Sequence, residues 1–414
     1  MTASILPIGI APRLGQLPDL MHAQVIRPDR FGEPASAMRP EQVAVPRPGP
    51  DEVLVYVMAA GLNYNGVWAS RAQPIDPCAV HGRFGQPTAF HIGGSEASGV
   101  VWAVGERVAG LEVGQPVIVH PFRWNVDAPE IAAGGDPVLD PSFHVFGYES
   151  NWGSFAQFCL AQAHQCIAKP PRLTWEEAAS SSGTGGAAYR MLRSWPPHTL
   201  GKGDRVLVWG GAGGVGAVAL QLCRLAGARA VAVVSSPDKV APCLARGAVG
   251  TIDRTQFPHW GPPPSPADPA AYDAWLAGAR GFGRAFWNAL GERRNPTLVV
   301  EHPGEDTLAT SLFVCDAGGM VVICGGTTGY DGRLDLRYLW MRQKRLQGSH
   351  GANDAELRAF WQLVADGAID AAPSRVLRFD EIPAGHQLMA DNHHPPGNMV
   401  ALVGAPEPGL ASLP

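Results

Sequence analysis

A short glycine-rich segment in the middle of the chain constrains its fold more than any other feature. The apolar run at 206–209 is typical of a buried parallel strand, and Gly211, Gly213 and Gly216 follow it in the spacing G-x-G-x-x-G. This spacing lets a backbone approach a pyrophosphate at the start of a helix. Residues 217–222 are helix-forming, and a second β-branched strand follows roughly 20 residues later. The segment predicts a βαβ unit that binds a dinucleotide.

The residues after that second strand indicate which dinucleotide. An NAD-dependent enzyme places Asp or Glu there for the ribose 2′-hydroxyl, whereas this chain has Ser235 and Ser236, with Lys239 close behind. Hydroxyl donors and an ammonium group favour a 2′-phosphate, which a carboxylate would repel. We therefore predict NADPH, bound by these residues together with Gly214 and Val215 of the turn. The alternative is a glycine turn that closes a βαβ unit without a nucleotide.

Composition excludes several classes of protein. A chain of 414 residues suits two domains. Its net charge of −5 and its lack of a basic block argue against nucleic acid or an anionic membrane as a partner. No apolar run reaches the roughly 18 residues of a membrane span, and the first residues lack the basic region of a signal peptide. Seven cysteines without C-x-x-C pairs suit reduced thiols. We expect a cytoplasmic protein.

Two kinds of pattern divide the chain. Strands bounded by Gly and Pro precede the glycine-rich turn, and strands alternating with helices follow it. The strands expected before the turn are 52–57, 99–105 and 113–119, and those expected after it include 298–304 and 318–325. The tail has a helical segment, 355–368, and a strand at 399–404, whereas 257–273 reads as a surface loop rich in proline. We expect an α/β protein with a β domain at 1–195 and 346–414 and a doubly wound parallel sheet at 196–345.

The domain order and several local motifs resemble the crotonyl-CoA carboxylase/reductase family of the medium-chain dehydrogenase/reductase superfamily. The motifs are 63–68 (NYNGVW), 146–149 (FGYE), 173–179 (LTWEEAA), 301–304 (EHPG), 337–341 (RYLWM) and 347–350 (QGSH). The resemblance runs from about residue 54 to about residue 404. It implies a GroES-like β domain joined to a Rossmann domain.

The resemblance also bears on metal binding. Many alcohol dehydrogenases of this superfamily hold a catalytic zinc with a Cys after an Ala-Ala-Gly strand and with a Gly-His-Glu motif. The corresponding places here read Ala-Ala-Gly-Leu-Asn at 59–63 and Gly-Gly-Ser-Glu at 93–96. Without soft ligands at either place, a tetrahedral catalytic zinc is not expected.

The family's reaction implies a substrate and a co-substrate. NADPH delivers hydride to the β-carbon of a 2-enoyl-CoA, and the α-carbon then attacks CO2 without help from biotin. The product is an alkylmalonyl-CoA, a polyketide extender unit. The residues implied to hold CO2 are Asn65, Tyr148, Glu149 and His350. Asn65 would donate to one CO2 oxygen and His350 to the other, directly or through a water ordered by Glu149.

Each of these residues has an ordinary structural alternative. Asn65 is also consistent with a turn residue that satisfies backbone groups, His350 with a satisfied loop histidine, and Glu149 with an exposed loop charge. Family members commonly carry Phe at the place of Tyr148. The added phenol would either hold the carboxylate or supply a proton to the enolate. The second outcome would give a plain enoyl-CoA reductase that does not carboxylate.

Further assignments concern coenzyme A, NADPH and chain length. Arg337 and Tyr338 match family positions associated with the phosphate and the adenine of CoA. Thr184 is expected near the nicotinamide, or else as a helix N-cap, and Arg254 near the 2′-phosphate. Gly351 stands where crotonyl-specific members tend to carry Phe. Its small size predicts room for a medium-length or branched acyl chain, unless a neighbour refills the space.

The resemblance predicts a homodimer or homotetramer assembled at the edge of the Rossmann domain. A third possible function, in another class of protein, is that of a quinone-reductase-like protein that binds NADPH without acting on CoA thioesters. The combination of Glu149, His350 and Arg337 argues against that reading.

Overall fold

The computed structural model describes residues 3–86 and 88–413, and the chain divides into two compact units. Unit 1 comprises Met1–Gly183 and Asn353–Pro414, and unit 2 comprises Thr184–Ala352. These boundaries differ from the expected 195/196 and 345/346. The helix Ser182–Arg193 continues into unit 2, and the strand Arg345–Gly348 pairs within the parallel sheet of unit 2. The strand Arg345–Gly348 is short and its exposed residues alternate, so the sequence alone did not indicate which sheet it joins.

The elements of both units follow in chain order. The strands are β1 Leu20–Ile26, β2 Arg39–Ala44, β3 Glu52–Leu62, β4 His91–Ile92, β5 Ala97–Val104, β6 Pro116–Val119, β7 Phe122–Arg123, β8 His144–Val145, β9 Phe158–Gln162, β10 Cys166–Ala168, β11 Arg205–Val208, β12 Arg229–Val234, β13 Ala248–Asp253, β14 Leu298–Glu301, β15 Met320–Ile323, β16 Arg345–Gly348, β17 Arg375–Leu377 and β18 Met399–Leu402. The helices are α1 Pro34–Ala37, α2 Tyr64–Arg71, α3 Pro77–Val80, α4 Pro129–Ala132, α5 Trp175–Ala178, α6 Ser182–Arg193, α7 Gly214–Ala226, α8 Val240–Ala245, α9 Pro269–Leu290, α10 Leu308–Val314, α11 Arg337–Trp340, α12 Asp354–Ala365 and α13 Ile382–Ala390. Within residues 3–86 and 88–413, no helix is long and apolar enough to cross a bilayer.

Unit 1 is built on a mostly antiparallel sheet with strand order β10-β6-β5-β3-β18-β17, and β9 also pairs with β3. β3 lies at the centre, and ten of its eleven residues are buried, which explains its nearly continuous apolar sequence. The C-terminal strand β18 pairs antiparallel with β3, joining Met399 to Leu62 in register. Tyr56 of β3 packs against Trp102 and Phe158, with ring centroids 5.0 and 5.3 Å away. This packing makes β3 a rigid base for α2, which follows it.

Unit 2 contains a six-stranded parallel sheet in the order β13-β12-β11-β14-β15-β16. Numbered from β11, this is the order 3-2-1-4-5-6 of a Rossmann fold. The expected α/β class, with a GroES-like domain and a Rossmann domain, is confirmed. Trp209 stacks on Phe282 of α9 with ring centroids 5.2 Å apart, so this helix covers the sheet beneath the glycine-rich turn.

The segment 257–273 differs from the expected surface loop. Helix α9 already begins at Pro269, and the side chain of Asp268 accepts a hydrogen bond from the backbone of Ala271. An Asp N-cap followed by Pro at the first helical position is a recognised helix start, so the loop interpretation was wrong for 269–273. Trp260 also packs inward, 5.4 Å from Trp209 between ring centroids.

Candidate active site

The glycine-rich turn of unit 2 has the geometry that its sequence predicts. The amide of Gly213 donates to the carbonyl of Gly210 over 2.8 Å, and α7 begins at Gly214. The amides of Gly214 and Val215 therefore lie in the first helical turn, where no helical carbonyl precedes them. A Cβ at Gly216 would lie 2.3 Å from the carbonyl oxygen of Gly210. The third glycine is required by packing, while the helix start offers amides to an anion.

His302 contacts this turn from the neighbouring strand. Its Nε2 donates to the carbonyl of Trp209 over 3.1 Å, and a Cβ at Gly210 would lie 2.5 Å from the same nitrogen. Gly210 has a φ of +53°, so the histidine contacts the turn where the backbone is left-handed. Burial lowers the pKa of His302, which favours the neutral ring. On the opposite side, a Cβ at Gly211 would lie 2.5 Å from that of Ala232.

Glu301 anchors the same end of the sheet. Its carboxylate accepts hydrogen bonds from the hydroxyls of Ser311 and Thr307, the latter over 2.7 Å, and Ser311 in turn accepts from Trp209 Nε1 over 2.7 Å. Burial raises the pKa of Glu301 to about 7, although these hydrogen bonds oppose the shift. Sequence reasoning used Glu301 and His302 only as family markers. Their position at the carboxyl end of a central parallel strand was the signal for a functional role.

The residues predicted to contact the 2′-phosphate lie side by side. Val234 of β12 pairs with Asp253 of β13, so Ser235 and Arg254, the next residues of each strand, lie at the same edge of the sheet. Lys239 donates to the hydroxyl of Ser235 over 3.0 Å. This edge of the sheet is where the ribose of a dinucleotide lies in a Rossmann fold. Ser236 instead hydrogen-bonds the side chain of Asp238, which lies in the exposed turn that follows.

Three other predicted residues lie in unit 2. Thr184 is the third residue of α6, so it lies inside the helix and not at the N-cap. His350 follows β16, and partial desolvation together with the Arg190 guanidinium lowers its pKa. Gly351 has a φ of +63°, a left-handed conformation that favours glycine on backbone grounds alone. The role of each residue stays a prediction.

Arg337 and Tyr338 lie in a polar cluster on unit 2. Arg337 binds the carboxylate of Asp335 with its Nε and Nη2, the closer contact being 2.6 Å. The hydroxyl of Tyr338 lies 3.1 Å from that of Tyr272, and its ring packs edge-on against Phe313. The Arg337 guanidinium helps to hold the pKa of Asp335 at about 2. A phosphate that binds Arg337 would therefore compete with an ion pair already formed.

Asn65 of unit 1 lies in the first turn of α2. Its Nδ2 donates to the hydroxyl of Ser95 over 3.3 Å, whereas the turn alternative expects hydrogen bonds to the backbone. Trp68, three residues further on, lies on the same face of the helix. The ring of Tyr148 lies 6.3 Å from that of Trp68. Asn65 thus belongs to α2, and Tyr148 lies beside the same helix.

Tyr148 and Glu149 form part of a tight turn after β8. Tyr148 is buried, and Glu149 is half-buried, so it is not the exposed loop charge of the alternative reading. Oε2 of Glu149 accepts a hydrogen bond from the backbone of Val145 over 2.7 Å. Burial raises the pKa of Glu149, and the Val145 amide partly offsets that shift. His350, the fourth residue of the set, belongs to unit 2.

The two places where related alcohol dehydrogenases carry zinc ligands meet in unit 1. Nδ2 of Asn63 donates to Oε1 of Glu96 over 2.8 Å, and Oε2 of Glu96 accepts from the backbone of Gly183 over 2.8 Å. Burial raises the pKa of Glu96 to about 7 against the effect of these donors. Asn63 stands where the thiolate ligand would be needed, and Ser95, next to Glu96, stands where the imidazole ligand would be needed, so neither place offers a soft ligand. Sequence reasoning treated 93–96 only as a lost metal motif and missed this buried carboxylate.

A separate group of possible metal ligands joins His120, His164 and Asp354. The backbone of Phe122 donates to Nδ1 of His120 over 3.2 Å, so the proton of this ring is on Nε2, which donates to Asp354 over 3.0 Å. A metal would require the lone pair of that same Nε2. Burial opposes it, but hydrogen bonds from both histidines lower the pKa of Asp354. The group binds the start of α12 to the end of β6 by hydrogen bonds.

Comparisons with known proteins agree with this architecture. The family model for the alcohol dehydrogenase GroES-like domain matches residues 49–171, and the model for zinc-binding dehydrogenase matches residues 214–366. The chain is 48% identical over 406 residues to crotonyl-CoA carboxylase/reductase of Cereibacter sphaeroides, covering 98% of this chain and 93% of the relative. It is 34% identical to crotonyl-CoA reductase of Streptomyces collinus, covering 95% and 90%.

Solved structures give the same result. A structure of crotonyl-CoA carboxylase/reductase AntE with NADP matches with a TM-score of 0.93 and 51% identity, covering 98% of this chain and 100% of that one. The 2-octenoyl-CoA carboxylase reductase CinF with NADP and 2-octenoyl-CoA matches with a TM-score of 0.87 and 34% identity, covering 96% and 91%. The chain therefore belongs to the crotonyl-CoA carboxylase/reductase family, a group of oxidoreductases within the medium-chain dehydrogenase/reductase superfamily.

Proposed function

We propose that the protein catalyses the NADPH-dependent reductive carboxylation of a 2-enoyl-CoA to an alkylmalonyl-CoA. The observation that carries this proposal is the family relationship over 98% of the chain. The cofactor and thioester present in the CinF structure support the same substrates here. Ser235 and Arg254 directly follow the paired residues Val234 and Asp253, and Lys239 donates to Ser235, which further supports NADPH over NADH.

The proposed reaction requires control over one electron pair. NADPH supplies a hydride to the β-carbon of the enoyl thioester. The electron pair left at the α-carbon forms a bond to the carbon of CO2, and the new carboxylate completes an alkylmalonyl-CoA. The same pair could instead take a proton and give the saturated acyl-CoA. The residues around CO2 must therefore hold a weakly polar gas while keeping acidic protons away.

Asn65, Glu149 and His350 are the residues we assign to CO2. One Nδ2–H of Asn65 goes to Ser95, which leaves the second to donate to a CO2 oxygen. Such a donor also stabilises the negative charge that develops on that oxygen. Oε2 of Glu149 accepts from the Val145 amide, so its other oxygen can order a water beside the substrate. His350, with its lowered pKa, is a neutral hydrogen-bond donor and not an acid.

We assign Gly351 to the acyl-chain pocket and propose a medium-length or branched chain. A glycine leaves space that an aromatic side chain would fill. Its positive φ offers a second explanation, because a left-handed backbone also favours glycine. A substrate series distinguishes the two, since only the pocket explanation predicts faster turnover of longer chains.

We further propose a homodimer or homotetramer formed at the edge of the parallel sheet. β16 is the outer strand of that sheet, and outer strands offer unpaired amide and carbonyl groups to a second chain. Large apolar side chains nearby are exposed, namely Leu336, Trp340 and Met341, each at 60% or more. Exposed apolar patches of this kind mark protein interfaces.

The proposed activity is tested by following NADPH oxidation with a series from crotonyl-CoA to 2-octenoyl-CoA and, separately, with a quinone. We expect oxidation that depends on the enoyl-CoA and is fastest with the longer chains. Oxidation that depends on the quinone would contradict the proposal. The non-carboxylating alternative assigns the proton to Tyr148 or Tyr64, so Tyr148→Phe or Tyr64→Phe would then slow the formation of saturated acyl-CoA.

A further inference from the structure

The side chain of Asn65 is held by a residue that lies thirty positions further along the chain. Ser95 is buried, with 3% of its surface exposed, and its hydroxyl accepts the hydrogen bond from Nδ2 of Asn65. A carboxamide is planar, so the direction of one N–H determines the direction of the other N–H and of the carbonyl oxygen. The orientation of Asn65 therefore depends on the position of Ser95.

Ser95 is itself held by its neighbour Glu96. The backbone carbonyl of Glu96 accepts hydrogen bonds from the hydroxyl of Ser154 over 2.8 Å and from the amide of Gly61 over 3.3 Å. The side chain of Glu96, 1% exposed, accepts from Asn63 and from the amide of Gly183. Hydrogen bonds to its backbone carbonyl and to its carboxylate therefore fix the position of Glu96.

The same carboxylate also reaches the start of the helix that carries Asn65. Asn63 is the N-cap residue of α2, and its side chain is engaged with Glu96 instead of with the helix amides. A Cβ at Gly61 would lie 2.6 Å from Oε1 of Glu96, so the strand before the helix is packed against the carboxylate. Ser95 and Glu96 together contact both ends of the tripeptide at 63–65.

We propose that Ser95, held in place by Glu96, is a positioning residue that orients the carboxamide of Asn65 and thereby sets the fraction of turnovers that end in carboxylation. This inference rests on the proposed function, in which Asn65 donates to CO2. An Asn65 side chain that turns away leaves hydride transfer possible. The electron pair at the α-carbon then takes a proton, and saturated acyl-CoA replaces alkylmalonyl-CoA.

The test compares Ser95→Ala with Ser98→Ala. Ser98 is also buried, and its hydroxyl donates over 2.6 Å to the carbonyl of Trp175, which belongs to α5 and not to α2. The readouts are the KM for CO2 and the ratio of alkylmalonyl-CoA to saturated acyl-CoA. We expect Ser95→Ala to raise the KM for CO2 and lower this ratio by about fivefold, the effect of losing one neutral hydrogen bond. Ser98→Ala should leave the ratio unchanged. Ser95→Thr, which keeps the hydroxyl, should also keep the ratio at its native value.

The variant Asn65→Ala distinguishes a failure of the positioning role of Ser95 from a failure of the CO2 assignment to Asn65. If Asn65→Ala shifts the ratio but Ser95→Ala leaves it within twofold of the native protein, the positioning role is overturned and the proposed function stands. If Asn65→Ala also leaves the ratio unchanged, the assignment of CO2 to Asn65 fails. Should Ser95→Ala fail to fold, Ser95→Cys, which preserves the size but weakens the acceptor, takes its place with the same expected and contrary outcomes.

Discussion

At the scale of single residues, cofactor choice depends on groups at the ends of two neighbouring strands. Ser235 and Arg254 are neighbours because Val234 and Asp253 are paired in register. Arg254 is separated from Ser235 by about one helix of sequence, so its proximity is a product of the parallel sheet. A guanidinium beside a 2′-phosphate forms charge-assisted hydrogen bonds, which are stronger than neutral ones.

Replacing Arg254 by Ala is expected to weaken NADPH selectively. Loss of a hydrogen bond to a charged group costs about 1.5–3 kcal/mol, or roughly a 10- to 100-fold rise in KM for NADPH. NADH lacks the 2′-phosphate, so its KM should not change. Steady-state kinetics with both cofactors measures this difference. An equal loss for NADPH and NADH would contradict the assignment.

Glu301 should give the protein a specific pH dependence of stability. Its pKa is raised to about 7 in the folded state, so the folded protein keeps a proton that the unfolded chain releases above about pH 4.3. The free energy of unfolding should therefore fall as pH rises from about 4.5 to about 7. Urea denaturation should show that Glu301→Gln removes this part of the slope, while Glu407→Gln, at an exposed position, does not. An unchanged slope in Glu301→Gln would contradict the raised pKa.

At the scale of elements, the glycines of the turn before α7 have two separable roles. Gly216 leaves no room for a side chain, because a Cβ would lie 2.3 Å from the Gly210 carbonyl. Gly213 has an ordinary φ of −77°, and the nearest atom to its Cβ would be 3.3 Å away. Gly216 is therefore needed by the fold, whereas Gly213 is needed mainly by the ligand.

Gly216→Ala and Gly213→Ala should therefore differ in their effects on stability and on NADPH affinity. Overpacking at 216 is expected to cost about 1–3 kcal/mol of stability. At 213 the loss of stability should be smaller, since φ suits alanine and the Gly210 carbonyl oxygen, 3.3 Å from the added Cβ, needs to move only slightly. Its affinity for NADPH should fall because a methyl group faces the approaching pyrophosphate. Thermal unfolding and NADPH titration of both variants test the distinction. Equal stability of the two variants would contradict it.

Local patterns predicted most strands and the nucleotide turn, but they did not predict contacts between distant segments. The run at 52–57 is recognisable as a strand because every second residue, at 53, 55 and 57, is the β-branched valine. In the structure it continues as β3 to Leu62. β16 has no comparable apolar pattern, and only its pairing with β15 places it in unit 2. The bonds from Ser95 and Glu96 to α2 join segments about thirty residues apart, and no local periodicity encodes them. Such contacts are set by the β-sheet, which the sequence specifies only through long-range pairing.

At the scale of the whole molecule, the proposed oligomer places an apolar surface of unit 2 between copies of the chain. Trp340 is 66% exposed and Met341 is 60% exposed. Leaving two such large side chains in water is unfavourable, so their burial would contribute to association.

Trp340→Lys should convert the native assembly to smaller species. A charge at the centre of an apolar interface lacks a partner and opposes association. Light scattering coupled to size exclusion measures the mass. Val113→Lys, at an exposed apolar residue of unit 1, should leave it unchanged. A native protein of monomeric mass, or an unchanged mass for Trp340→Lys, would contradict the interface.

In the proposed reaction, the electron pair created by hydride transfer goes to CO2. The most direct test is the mass of the product formed from NADPH, a 2-enoyl-CoA and ¹³C-bicarbonate. We expect one ¹³C carboxyl group in the product for each NADPH oxidised, with alkylmalonyl-CoA as the main species. Stoichiometric NADPH oxidation that yields only unlabelled, saturated acyl-CoA would contradict it.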